Sequence, residues 1–250
     1  NECSQKDSED MLCLKTLTYA LSPVLLVQGF RVKKKMIRLA EPEGLRQGEV
    51  GHQKKLSLLI LGDSAAAGVG VQHQDDALLG AVLSGLHADF HIRYCLEAET
   101  GRTTLDVLSV LKSMKNQHFD IVITSLGVND VTKLISTQTW MKQQKKLYAE
   151  IERKFTPQQV FITLVPPMQH FPALPYPLGW LFGQYAKAMN QQLKKWMKTQ
   201  QHYQYISFNL GGFQQQNLTM AKDGFHPSKE IYQLWALPII HQIQQFFKSS

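Results

Sequence analysis

Apolar and polar positions along this chain alternate between two kinds of run. Residues 56–61, 91–97, 120–125, 160–165 and 205–208 are short, largely apolar runs of β character. Between them, stretches near 75–88, 103–116, 131–154 and 179–200, and a last one from about 228 to 247, carry apolar residues at helical spacing. Five strand–helix units in a row predict a mostly parallel sheet with helices on both faces, because a parallel crossover needs a helix to bring the chain back. In such sheets ligands sit at the carboxyl ends of the strands. No internal repeat or low-complexity tract interrupts the pattern.

The domain proper is expected to span residues 56–250, preceded by an arm over residues 1–55. Residues 1–10 are polar and expected to fray, and Met11 resembles a natural start. From Leu17 to Phe30 the arm is apolar, and Arg31, Lys33, Lys34, Lys35 and Arg38 follow. This run is shorter than the ~20 apolar residues of a spanning helix, and Pro23 interrupts it. Two readings stay open for residues 11–38. One is a helix on a membrane surface whose basic cluster meets anionic headgroups; the other is an amphipathic arm packed on the domain. A secretory signal carries its charge before the apolar run, with a small-x-small cleavage site. Neither is present, so a cytoplasmic or membrane-associated protein is expected rather than a secreted one. Residues 41–55, rich in Gly, Pro and charge, read as a linker.

With 44% hydrophobic and 19% charged residues among 250, the chain is long enough for one sizeable α/β domain. The net charge of +7 invites a nucleic-acid reading. However, the lysines are scattered at helical spacing between glutamines, as on solvated helix faces, and no nucleic-acid motif accompanies them. Three cysteines, Cys3, Cys13 and Cys95, lack CxxC spacing, which argues against a disulfide framework or a structural zinc site. Cys95 lies in a strand-like run and reads as a small buried hydrophobe.

Four short stretches supply candidate chemistry. Run 56–61 leads directly into Gly62-Asp63-Ser64, which puts Ser64 at the carboxyl edge of the sheet, and the small residues Ala65 to Gly70 permit a tight turn. A serine hydroxyl becomes a nucleophile when a positioned base takes its proton. Of nine histidines, His226 has the best context, in Asp223-Gly224-Phe225-His226 before the last helix. An Asp three residues upstream can reach round a short turn to the ring Nδ1–H, fixing the tautomer and stabilising the imidazolium. No third ligand at helical spacing supports a metal reading, so no metal and no organic cofactor is expected. Acyl transfer also needs donors for a developing oxyanion. The backbone N–H of Ser64, the backbone N–H of Gly101 after the second strand and the side-chain amide of Asn129 in Gly127-Val128-Asn129-Asp130 are the candidates. Alone, Ser64 and Asn129 read as helix caps and Gly101 as a turn glycine; their joint placement at strand ends is what points to a site. Asp63 and Asp130 beside them are expected to hydrogen-bond structurally.

Taken in order, these blocks resemble those of the SGNH (GDSL-type) esterase/lipase family, bacterial type, over roughly residues 56–246. The resemblance implies a three-layer α/β/α flavodoxin-like sandwich around a five-stranded parallel sheet. It implies Ser64 as nucleophile, His226 as base and then acid, Asp223 as its orienter, and Ser64, Gly101 and Asn129 as the oxyanion hole. Ala65 stands where the family's name-giving motif has Leu, a position without chemical duty. The expected function is therefore hydrolysis of a small-molecule or lipid ester through an acyl-enzyme. A membrane-associated lysophospholipase, a carbohydrate acetylesterase and a non-catalytic flavodoxin-like binding module are the alternatives. Pro166, Pro167 and Met168 end the fourth strand and are expected to face substrate. The Pro- and aromatic-rich stretch from Phe171 to Phe182 is expected to be irregular, either lining the acyl pocket or anchoring a loop on the core.

Overall fold

The structure, a computed structural model, describes residues 14–207 and 218–248. The polar residues 1–10, Cys3, Cys13 and the last position of run 205–208 lie outside them. Six strands form one sheet: β1 (Gln47–Val50), β2 (Lys54–Gly62), β3 (Phe90–Ala98), β4 (Ile121–Ser125), β5 (Gln159–Thr163) and β6 (Tyr203–Ile206), in the order β1-β3-β2-β4-β5-β6. Strands β2 to β6 run parallel, and β1 lies antiparallel on the outer edge of β3. The parallel five match the expectation. The sixth comes from residues 41–55, whose composition marks a linker. Its sequence, Gln-Gly-Glu-Val, has no apolar alternation, and its strand state derives from pairing along β3. There Gly48 lies over Tyr94, whose Oη would stand 2.8 Å from any Cβ at that position.

Eight helices are named here: α1 (Ser22–Lys35), α2 (Ser64–Ala67), α3 (Leu78–Leu86), α4 (Thr104–Ser113), α5 (Val128–Thr132), α6 (Thr137–Phe155), α7 (Leu178–Met197) and α8 (Lys229–Lys248). One helical pattern over 131–154 resolves into α5 and α6. Leu134 adopts a positive φ of 53° between them, and Ser136 caps α6 by accepting the Thr139 N–H. Central strand β2 shows why helices cover both faces. Leu59 and Leu61 enter one core with α4, α6 and α7, whereas Leu58 and Ile60 enter the other with α3 and α8. Each such side chain contributes about 1.5–3 kcal/mol through burial, so neither face of β2 tolerates water. The result is a three-layer α/β/α sandwich. Cys95 is half-buried rather than fully buried, and it is a free thiol.

The parallel strands end at one level. Gly62 pairs with Ala98 on one side and Ser125 on the other, and Ser125 pairs with Thr163. The chain goes from β2 out to β3 and then crosses back over β2 to β4. The loops after these strands thus diverge around the end of β2, the kind of crevice in which α/β sheets bind ligands. Gly62 itself is a packing requirement: a Cβ there would lie 2.4 Å from the Ala66 Cβ and 2.5 Å from the Ser125 carbonyl oxygen. Gly62→Ala should cost about 1–3 kcal/mol of stability as an overpacked site. Urea unfolding measures this, and an unchanged midpoint would show that α2 can retreat from the sheet freely.

Candidate active site

Ser64 is the first residue of α2, immediately beyond the end of β2. Asp63 caps this short helix by accepting the Ala65 N–H at 3.0 Å, and Gly68, with φ of 95°, ends it. Ser64 is buried, and its N–H, at the first turn, has no intrahelical acceptor. Beyond the helix the chain packs on the loop that carries the histidine. A Cβ at Gly70 would stand 2.1 Å from the Pro227 carbonyl oxygen, and Tyr232 on α8 donates its hydroxyl to Val69 O at 2.7 Å.

The histidine loop is built around Asp223. Its Oδ1 accepts the N–H groups of Phe225 and His226 at 2.9 and 3.0 Å, an Asp-centred turn, and its Oδ2 meets the His226 ring Nδ1 at 2.5 Å. Burial raises the Asp223 carboxyl, but the His226 ring and the two N–H donors outweigh it and hold the group below the usual carboxylate range. Asp223 is therefore an anion facing the imidazole. The other ring nitrogen, Nε2, lies 2.9 Å from Ser64 Oγ. Hydroxyl, imidazole and carboxylate form one continuous hydrogen-bonded chain across 162 residues of sequence. Phe225 packs edge-on against the His226 ring with centroids 5.3 Å apart, and Phe171 packs on Phe225 at 5.1 Å.

Gly101 lies in the loop after β3, and Asn129 lies in the first turn of α5, which follows β4; the two strands flank β2. Gly101 is exposed with φ of 87°, and its N–H donates to no group among the described residues. Half-buried Asn129 donates one amide hydrogen to the carbonyl of Arg102 at 2.9 Å, which ties the two segments together and leaves its second hydrogen unused by that bond. Arg102 bonds Glu97 and Glu99, each at 2.7 Å, and the Glu41 carboxylate accepts both the N–H and the hydroxyl of Thr100 at 2.7 Å. Residues 41–50 thus brace the Gly101 loop from outside. Asp130 is wholly buried and accepts from the N–H and hydroxyl of Thr104 at 3.1 and 3.0 Å, so Asp63 and Asp130 both have the structural hydrogen bonds expected of them.

A small apolar cavity of about 70 Å³ opens beside Ser64. Its wall includes Leu126, Val128, Pro166, Pro167, Phe171 and Trp235. Pro166 and Pro167 line it, held by Asn190, whose side-chain amide bonds both the N–H and the carbonyl of Val165 at 2.9 and 2.8 Å. The expectation for Met168 fails. A tight 3-10 turn over Met168–His170 rotates that side chain inward, where it is wholly buried in the core against α7. Of the apolar wall, sequence reasoning offered Phe171 as a lining residue and missed Phe225, Ile231 and Trp235. Phe225 sat unread inside the histidine stretch, and Ile231 and Trp235 are one helical turn apart on α8. Among the described residues, no three His, Cys, Asp or Glu side chains gather as a metal site.

The model of the GDSL-like lipase/acylhydrolase family matches residues 60–234. No curated protein matches the chain. Among solved structures, a lipolytic protein of the G-D-S-L family from Veillonella parvula is 16% identical with a TM-score of 0.61, over 74% of this chain and 96% of that one. The esterase EstA from Pseudoalteromonas is 16% identical with a TM-score of 0.58, over 77% and 98%. A carbohydrate acetylesterase from Sinorhizobium meliloti is 19% identical with a TM-score of 0.57, over 77% and 100%. At these identities the structures share the fold.

Burial pushes the Asp63 carboxyl up to about 7, against the pull of the Ala65 N–H and of His226, with Asp130 nearby adding to the rise. Folded protein then holds a proton that the unfolded chain releases near its ordinary 3.8. Stability from this group falls as pH rises from about 4 to 7 and is level above. Unfolding free energies at pH 5 and pH 8 should show Asp63→Asn losing on the order of 2–3 kcal/mol less across that interval than the unaltered protein. Equal slopes in the two proteins would mean that Asp63 is ionised in the fold.

Proposed function

The chain belongs to the GDSL-like lipase/acylhydrolase family, and from that premise we propose that it is a serine esterase cleaving carboxylic esters through an acyl-enzyme. The observation that carries this reading is the unbroken relay from Ser64 Oγ through His226 to Asp223. In it Ser64 passes its proton to His226 Nε2 as its oxygen attacks the ester carbonyl carbon. The carbonyl π pair moves onto oxygen, which becomes a tetrahedral oxyanion. When that pair returns, the ester C–O bond breaks and the departing alkoxide takes the proton from His226. Water then repeats the sequence on the acyl-Ser64, with His226 again as base, and releases the acid. Asp223 stays ionised throughout, keeps Nδ1 protonated and offsets the imidazolium charge.

Three donors are assigned to the oxyanion: the N–H of Ser64, the N–H of Gly101 and the second amide hydrogen of Asn129. What supports them is that all three follow the level ends of β2, β3 and β4, that Asn129 is tied to the Gly101 loop through the Arg102 carbonyl, and that the two backbone groups lack a competing acceptor among the described residues. Substrate acyl groups enter the apolar cavity beside Ser64. At about 10–15 Å³ per water-sized group, 70 Å³ takes the first few carbons of an acyl chain.

Ser64→Ala should leave a folded protein whose turnover of p-nitrophenyl acetate is near background and which a fluorophosphonate probe no longer labels. Wild-type turnover in that variant would end the assignment. Asn129→Ala should lower kcat by about 10²–10³, the usual cost of a lost oxyanion donor. A steady-state assay that finds kcat intact would move the oxyanion away from this side chain.

A further inference from the structure

Residues 14–20 and α1 present two opposite faces. Leu14, Leu21, Leu25 and Val32, at three- and four-residue steps or their multiples, turn inward against the core, and Thr18 meets the Tyr185 hydroxyl at 3.2 Å. The opposite face is also apolar. Tyr19, Leu26 and Phe30 are 79%, 73% and 69% exposed, and Val27 beside them is half exposed. A helix apolar on the face turned away from its own protein is built to meet a second apolar phase. No helix among the described residues is long and apolar enough to cross a membrane.

Charge decides which phase that is. Arg31, Lys33, Lys34, Lys35 and Arg38 crowd the carboxyl end of the same helix, all exposed and all without an acidic partner among the described residues. An apolar stripe flanked by unpaired cations matches an anionic lipid interface, where the stripe enters the acyl boundary and the cations meet headgroup phosphates. A protein partner of ordinary composition gives no reason for so many uncompensated charges.

The helix is also wired to the candidate active site. Gln28 donates to the carbonyl of Tyr176 at 2.7 Å and accepts the Leu178 N–H at 3.2 Å, and Ala173 in the same loop donates its N–H to Gly224 O at 3.0 Å. Arg31, Val32 and Lys35 share a surface groove with Ala173, Lys222 and Asp223. We infer that α1 docks the protein on an anionic lipid surface through Leu26, Val27, Phe30 and the cationic collar, which brings the loop bearing Asp223 alongside that surface. The inference goes beyond the esterase reading and does not depend on it.

The test is vesicle sedimentation with the full chain, using phosphatidylcholine with and without one-third phosphatidylglycerol. Binding should need the anionic lipid and weaken with salt. The pair Leu26→Glu/Phe30→Glu and, separately, the triple Lys33→Gln/Lys34→Gln/Lys35→Gln should each weaken it by on the order of tenfold or more. Both variants change exposed side chains, and coincident thermal melts by circular dichroism establish that they fold. Absence of binding by the folded parent, or equal binding by parent and variants, overturns the proposal. So does a concentration-dependent dimer in analytical ultracentrifugation that Leu26→Glu/Phe30→Glu dissolves, since that assigns the face to a second copy of the chain.

Discussion

The site rests on a single constraint, the shared level at which four parallel strands stop. Hydrogen-bonded registry forces Gly62, Ala98, Ser125 and Thr163 to a common height, so whatever follows each strand is delivered to one rim. The hydroxyl of Ser64, the Gly101 loop, the first turn of α5 with Asn129 and the Pro166–Pro167 step all inherit their positions from this ladder. The turn bearing Asp223 and His226 arrives from elsewhere. It is brought in by α8, whose Tyr232 hydroxyl reaches back to the turn after Ser64. A slip of one residue in β2 would turn its side chains to the opposite faces and dissolve the arrangement.

Around that rim, polar groups rather than apolar packing set the loop positions. Glu41 holds Thr100, Arg102 holds Glu97 and Glu99, Asp130 holds Thr104, and Asn190 clasps both backbone groups of Val165. The Glu41, Asp130 and Asn190 arrangements satisfy backbone donors or acceptors just beyond the strand ends that would otherwise face a partly dry cleft, and the Arg102 ion pairs join side chains alone. Rigid strands and bonded loops together hold the N–H groups of this rim in place, the preorganisation that the proposed acyl transfer would require.

Much of this was readable in the primary structure because two independent signals coincide there. Apolar runs of strand length alternate with helical spacing, and Ser64, Gly101, Asn129 and the Asp223–His226 pair each fall just past a run or before the last helix. The features that escaped reading depend on tertiary contact. Strand Gln47–Val50 has no intrinsic β signature and exists because β3 offers an unpaired edge. The break between α5 and α6 follows a left-handed leucine at position 134, which no glycine announces. Met168 follows two prolines that do face the cavity, yet a single tight turn sends it into the core. Likewise the Phe171–Phe225 contact joins segments more than fifty residues apart and leaves no periodic trace.

The four residues of β1 carry a further consequence. Parallel sheets end in strands whose outward N–H and C=O groups invite foreign strands to add on, and chains guard such edges with short or charged segments. Here the guard is antiparallel, polar and anchored by Arg46, which spans from Glu41 to the Ala98 carbonyl. A shortened version of the chain starting at the apolar run of residue 56 would bare the flank of β3 from Ile92 to Leu96. It would also lose the brace on Thr100. Insolubility of such a fragment would then reflect an open sheet border and say nothing about the chemistry at the rim.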